Sequence, residues 1–96
     1  MYILVTYDVD ITNKEGARRL RNVAKACIDY GQRVQNSVFE CEVTEVQYCL
    51  LKERIKNIID DSLDSIRFYC LSRNERRRVE ILGVETAYKV GDALII

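Results

Sequence analysis

Apolar and polar positions alternate along this chain in two different rhythms, and the changes of rhythm divide it into elements. Residues 2–9 (Tyr-Ile-Leu-Val-Thr-Tyr-Asp-Val) are almost all β-branched or aromatic, which predicts a buried strand interrupted near its C-terminal end by Asp8. A helical rhythm follows. Thr12 with Glu15 fits a capping box, with Asn13 as the alternative cap, and the helix should run to about Tyr30 with Gly31 as its stop. Ala17, Leu20, Ala24, Cys27 and Ile28 would share its apolar side. Lys14, Arg18, Arg21 and Lys25 recur at spacings of four, three and four, so they form one basic stripe.

Residues 32–43 return to a strand signal. Alternation is cleanest from Val38, with Glu40 and Glu42 on one face and Phe39, Cys41 and Val43 on the other. The polar start, Arg33 to Ser37, either bends or pairs separately, and no strong hairpin turn marks it. Thr44 with Gln47 is a second capping box, opening a helix to about Asp61 whose buried stripe is Leu51, Ile55, Ile58 and Ile59, with Val46 and Leu50 nearby. Residues 64–71 read as another strand. An arginine-dense stretch, Arg73 to Arg78, separates it from two short apolar runs, Val79–Leu82 and Ala93–Ile96. Apolar residues ending a chain are a liability unless they pair with a sheet edge, the chain's own or a partner's. If the central segment folds back on itself, the order is βαββαβ: a ferredoxin-like α+β domain with helices on one face of an antiparallel sheet, and an extra C-terminal strand.

Composition narrows the chemistry. With 96 residues, 48% of them apolar, the chain is one domain of residues 1–96. A domain of this size buries only about 60–65% of its unfolded surface, so dimerisation would help it. Histidine is absent, which removes histidine triads and histidine-bound zinc. Proline is absent too, so no linker is signalled. Cys27, Cys41, Cys49 and Cys70 form no C-x-x-C pair and each sits in an apolar periodic segment; all four are expected to be buried and reduced. No targeting segment and no run of about 20 apolar residues stands out, so a cytoplasmic protein is expected.

The net charge is zero, but it is unevenly spread. Residues 14–33 and 73–78 are basic, and residues 40–64 are acidic. The ten arginines suit bidentate contacts to phosphate, so Lys14, Arg18, Arg21, Lys25, Arg76, Arg77 and Arg78 are candidate nucleic-acid contacts; the bland alternative is a solvated helix face. Asp8 and Asp10 are the other candidates. A carboxylate closing an apolar strand is costly unless it is paired or holds a cation. It would be a helix-leading turn residue, partner Arg33 or Arg67, or ligate a metal. Magnesium commonly takes one or two carboxylates plus waters and phosphate oxygens, so one aspartate per chain would suffice if two copies met across a two-fold axis.

Four blocks, taken in order, resemble the CRISPR-associated protein Cas2 family over essentially the whole chain: Tyr7-Asp8-Val9 closing the first strand, the arginine-rich helix ending at Gly31, Arg33-Val34-Gln35-Asn36-Ser37-Val38-Phe39-Glu40-Cys41, and Asp64-Ser65-Ile66-Arg67-Phe68-Tyr69. The Arg33–Glu40 block is the most specific. The resemblance implies a ferredoxin-like protomer, a two-fold homodimer, and a C-terminal segment, residues 79–96, that extends the partner's sheet. It implies that Asp8 of each protomer faces the other across a cleft and that the two share one Mg²⁺ or Mn²⁺. Tyr7, Arg33, Ser37 and Phe39 match positions near that site or its cleft. The implied activity is metal-dependent cleavage of double-stranded DNA or single-stranded RNA in spacer acquisition, a step of antiviral defence, with the dimer bridging the CRISPR integrase on DNA. Two alternatives stand beside it: a DNA-binding scaffold of the integrase with no chemistry of its own, and a toxin-like ribonuclease of the virulence-associated type.

Overall fold

A computed structural model of the chain describes residues 1–8, 11–71 and 78–84. Its elements are β1 (Tyr2–Asp8), α1 (Lys14–Ile28), β2 (Gly31–Gln35), β3 (Val38–Glu42), α2 (Glu45–Lys56), β4 (Ser65–Cys70) and β5 (Arg78–Gly83). They form one sheet in the order β2-β3-β1-β4-β5, with every pairing antiparallel. This is the βαββαβ arrangement expected, with β5 added at the edge beyond β4. The domain is therefore α+β and ferredoxin-like.

The central segment does turn back on itself, through the two residues Asn36 and Ser37. A two-residue hairpin usually needs positive φ in its turn. Among the described residues no side-chain-bearing residue has one. The register instead shifts between Arg33 and Gln35, and this bulge takes up the twist that the turn does not. That is why no glycine or Asn-Gly signal marked the hairpin.

Both helices cover the same face of the sheet. Ile3, Val5 and Tyr7 of β1, Phe39 and Cys41 of β3, and Ile66, Phe68 and Cys70 of β4 point into them and are buried. Strand alternation puts Tyr2, Leu4, Thr6 and Asp8 on the opposite, uncovered face. Arg67 and Tyr69 of β4 and Val38 and Glu40 of β3 share that face in register with them.

Several boundaries and burial expectations change. Asn13, not Thr12, caps α1, its Oδ1 accepting the Gly16 N–H at 2.8 Å. The helix ends at Ile28, and Gly31 is no left-handed stop: it opens β2, where a Cβ would overlap the Glu40 carbonyl oxygen and lie 2.7 Å from Cys41 Cα. The buried side of α1 is Gly16, Val23, Ala24, Ala26 and Cys27, while Ile28 is exposed. The Thr44–Gln47 capping box is present with both reciprocal bonds, but α2 stops at Lys56 rather than Asp61. Tyr48, Leu51 and Ile55 are its buried residues; Ile58 and Ile59 pack on the core from the turn beyond, and Val46 and Leu50 are exposed. Cys27, Cys41 and Cys70 are buried as free thiols, whereas Cys49 is exposed on α2. The start of the 79–96 segment pairs with the chain's own β4; residues 85–96, with the Ala93–Ile96 run, lie outside the described residues. Among the described residues no helix is long and apolar enough to cross a membrane.

Candidate active site at the end of the central strand

Asp8 is the last residue of β1, the middle strand of the sheet, and it is exposed. Its rung partner is Ser65, the first residue of β4. The expected alternative, in which Arg33 or Arg67 neutralises Asp8, is not realised. Among the described residues the Asp8 carboxylate has neither an ion pair nor a hydrogen bond. Arg67 lies on the same face, opposite Thr6, and its Nη1 donates to the Tyr69 hydroxyl at 3.4 Å.

Behind Asp8, on the helix side, sits an aromatic cluster. Tyr7 stacks on Phe39 with ring centroids 5.7 Å apart and planes 12° from parallel. The Arg33 guanidinium covers the Phe39 ring at 5.3 Å. The Tyr7 N–H donates to the Ser37 carbonyl at 3.1 Å. The Tyr7 hydroxyl is buried without a hydrogen-bond partner among the described residues. Burial pushes its pKa above the ordinary 10.0, and the nearby Arg33 charge opposes that shift. The structure thus brings Tyr7, Arg33, Ser37 and Phe39 together. It places Tyr7, Arg33 and Phe39 across the sheet from the Asp8 side chain, because neighbouring strand residues face opposite ways. They hold the strand end; they do not line the open face with Asp8.

The basic candidates divide. Lys14, Arg18, Arg21 and Lys25 are all exposed on α1, the element that follows Asp8 in the chain. Arg78 begins β5 opposite Cys70, so its backbone is at the end of the sheet away from Asp8. Asp10, Arg76 and Arg77 lie outside the described residues.

The sequence offers Asp64 only as the first residue of the Asp64–Tyr69 block and gives Arg19 no role of its own. Asp64 is fully buried immediately before β4, and its carboxylate takes the Arg19 Nε at 2.7 Å. The available signal was an aspartate at the threshold of a strand whose alternate residues, Ile66, Phe68 and Cys70, are core. One concave feature among the described residues lies elsewhere: a cleft of about 340 Å³ at the opposite end of β1, lined by Tyr2, Tyr30, Gly31, Gln32, Glu40 and Glu42. A hydrogen bond to Glu40 is the main reason that the Tyr2 pKa is raised there.

Among the described residues no group of three metal-ligating side chains exists. Asp8 fits a hard divalent ion in one respect only: it is an exposed oxygen donor with no competing cation among the described residues. Those residues supply one carboxylate per chain there, and a second copy would supply another.

The family model for "CRISPR associated protein Cas2" matches residues 1–79. A relative from Rhodospirillum rubrum named CRISPR-associated endoribonuclease Cas2 3 is 54% identical over 94 residues, covering 98% of this chain and 99% of its own. A relative from Halalkalibacterium halodurans named CRISPR-associated endonuclease Cas2 is 47% identical over 95 residues, 99% of each chain. The crystal structure of Streptococcus pyogenes Cas2 at pH 6.5 superposes with a TM-score of 0.73 at 58% identity, covering 77% of this chain and 89% of that one.

Proposed function

Because the chain belongs to the CRISPR-associated protein Cas2 family, we propose that it is a metal-dependent endonuclease of CRISPR adaptation, working as a homodimer in the cytoplasm with Asp8 as its catalytic carboxylate. The observation that carries this reading is the Asp8 carboxylate, exposed and unpaired among the described residues, on the uncovered face of the central strand. That same face offers the means of pairing. Leu4, Thr6, Val38 and Tyr69 are only half-buried on it, and two such faces packed about a two-fold axis would shield them. The two-fold would bring one Asp8 from each copy to a common site.

Asp8 from both copies would hold the ion, Mg²⁺ or Mn²⁺, which when bound supplies charge neutralisation at a phosphodiester and a water of lowered pKa. The protein's own residues do the rest. The Tyr7–Phe39 stack and the Ser65 rung fix the strand end that bears Asp8. Lys14, Arg18, Arg21 and Lys25 present a line of positive charge on which a phosphate backbone can lie without being read for sequence. The relatives' names speak of both endoribonuclease and endonuclease, so single-stranded RNA and double-stranded DNA are both substrates to assay.

The exposed basic stripe favours a second role for the same dimer, a DNA-binding bridge for the CRISPR integrase. The two roles separate experimentally. Labelled double-stranded DNA and single-stranded RNA are incubated with the protein in Mg²⁺, Mn²⁺ or EDTA, beside Asp8→Ala. Metal-dependent cutting that falls to background in the variant is the expected result. Cutting undiminished in Asp8→Ala overturns the catalytic role of Asp8. Absence of cutting by the wild type, with salt-sensitive DNA binding retained, leaves the bridge as the function.

A further inference from the structure

We infer that the Arg19–Asp64 ion pair is a positioning device for Asp8, setting the register and height of the strand end that carries it; the inference rests on the reading of Asp8 as the metal-binding carboxylate. Asp64 is wholly buried, and each of its acceptors is engaged. Its Oδ2 takes the Arg19 Nε at 2.7 Å and the Asp60 N–H at 2.9 Å, and its Oδ1 takes the Arg19 Nη2 at 3.4 Å. Its carbonyl oxygen takes the Val84 N–H at 2.7 Å. Gly83, at φ 87°, lies so close to that carbonyl that a Cβ would overlap it. One residue thus joins α1, the turn before β4 and the end of β5.

The joint stands beside the site. Asp64 precedes Ser65, and Asp8, Ser65 and Gly83 form one row across three adjacent strands. Asp8–Ser65 is the last rung of the β1–β4 ladder, where fraying would otherwise be greatest. Slippage by one residue would be ruinous here, because it would turn Asp8 from the open face into the helix side. Tying the first step of β4 to the second turn of α1 prevents it. The chain between Asp8 and α1 is then held at both ends, by the Ser65 rung and by Arg19.

A charge buried completely is a poor device for stability alone, since its desolvation offsets much of the attraction. The two other ion pairs among the described residues, Lys52–Glu80 and Arg54–Asp29, are far more exposed. Among the described ion pairs, burial and directional bonding coincide only at the joint next to Asp8. A two-pronged guanidinium holding a carboxylate fixes direction as well as distance.

The test uses the full-length protein with Arg19→Lys, Arg19→Gln and Asp64→Asn, beside Arg54→Gln, which breaks an exposed pair between the last turn of α2 and the C-cap of α1. Cleavage is followed as a function of Mn²⁺ below the unfolding temperature of every variant. Loss of a group that orients a metal ligand commonly weakens metal affinity about 10- to 100-fold. The expected result is therefore a rise of about tenfold or more in the Mn²⁺ giving half-maximal cleavage for Arg19→Gln, a smaller rise for Arg19→Lys, and none for Arg54→Gln. Saturating Mn²⁺ should recover activity that Asp8→Ala never regains. Hydrogen exchange over residues 2–8, read without any metal, should quicken in the Arg19 variants and not in Arg54→Gln. Lowered thermal stability with unchanged Mn²⁺ dependence and unchanged exchange would overturn the inference, leaving the pair a plain structural contact. If Asp8→Ala cuts like the wild type, the proposed function falls, and the exchange measurement alone decides whether the pair holds the strand end. If Arg19→Gln does not fold, Arg19→Lys, which keeps the charge but loses the fork, carries the same test.

Discussion

Removing the Asp64 carboxylate should cost this domain a large part of its stability. In Asp64→Ala two short bonds disappear, from Arg19 Nε at 2.7 Å and from the Asp60 N–H at 2.9 Å, together with the longer and weaker second prong of the guanidinium at 3.4 Å. Bonds to a charged group contribute about 1.5–3 kcal/mol each. Arg19 keeps 15% of its side chain in contact with solvent, so its charge can partly rehydrate, whereas the Asp60 N–H loses its partner outright. Breaking a buried pair by deleting one member typically costs about 3–5 kcal/mol, and partial rehydration places the expected loss near the lower end, about 3 kcal/mol. For a domain of this length that is a fall of roughly 12–24 °C in Tm. The assay is urea unfolding followed by circular dichroism, at one fixed protein concentration because a dimer's stability depends on it. Asp64→Asn, which retains an acceptor for the Asp60 N–H but turns a donor toward Arg19, should fall between wild type and alanine. A loss under about 1 kcal/mol for Asp64→Ala, the range of an exposed surface pair, would refute the account.

Gly31→Ala should destabilise by about 1–3 kcal/mol in thermal unfolding, because its Cβ meets the β3 backbone; a variant as stable as wild type would show that β2 does not approach β3 as described. In the native protein a maleimide should modify Cys49 quickly and Cys27, Cys41 and Cys70 only on unfolding, as mass spectrometry would show; rapid labelling of all four would contradict the packing. Burial pushes the Cys27 thiol up to about 12 and the Cys41 thiol up to about 11 from the ordinary 9.0. Folded thiols therefore hold their protons where unfolded ones release them, so this stability is complete below about pH 9.0 and is lost as pH rises toward the folded values. Urea midpoints should fall between pH 9 and pH 11, and Cys27→Ala should flatten the fall; midpoints that stay level would refute the shifts.

Local patterning carried most of the fold. The run of β-branched and aromatic residues at 2–8, the basic stripe of α1 and the Thr44–Gln47 box are each written in nearby residues, and each is where the sequence put it. The misreadings occurred where a distant residue decided. Gly31 looks like a helix stop by its neighbours, but what requires glycine is the backbone of β3, ten residues further on. Ile28 and Leu50 have the right spacing for burial and remain exposed, while Val23 and Tyr48 take the core positions, because the rotation of each helix is set by how it seats on the sheet.

The candidate site divides along the same line. By itself the sequence determined that Asp8 closes a buried strand, that no histidine can serve in the chemistry, and that α1 bears a line of cations, since strand and helix periods depend only on nearby residues. Only the tertiary structure decided which face of the sheet the helices leave open, and therefore that Asp8 looks away from Tyr7, Arg33 and Phe39. It alone joined Arg19 to Asp64 across 45 positions of chain. The physical reason is that periodicity assigns a residue to one side of its own element, while the choice of which sides meet is made by the packing of whole elements, where burial of apolar area and the pairing of buried charge are settled together.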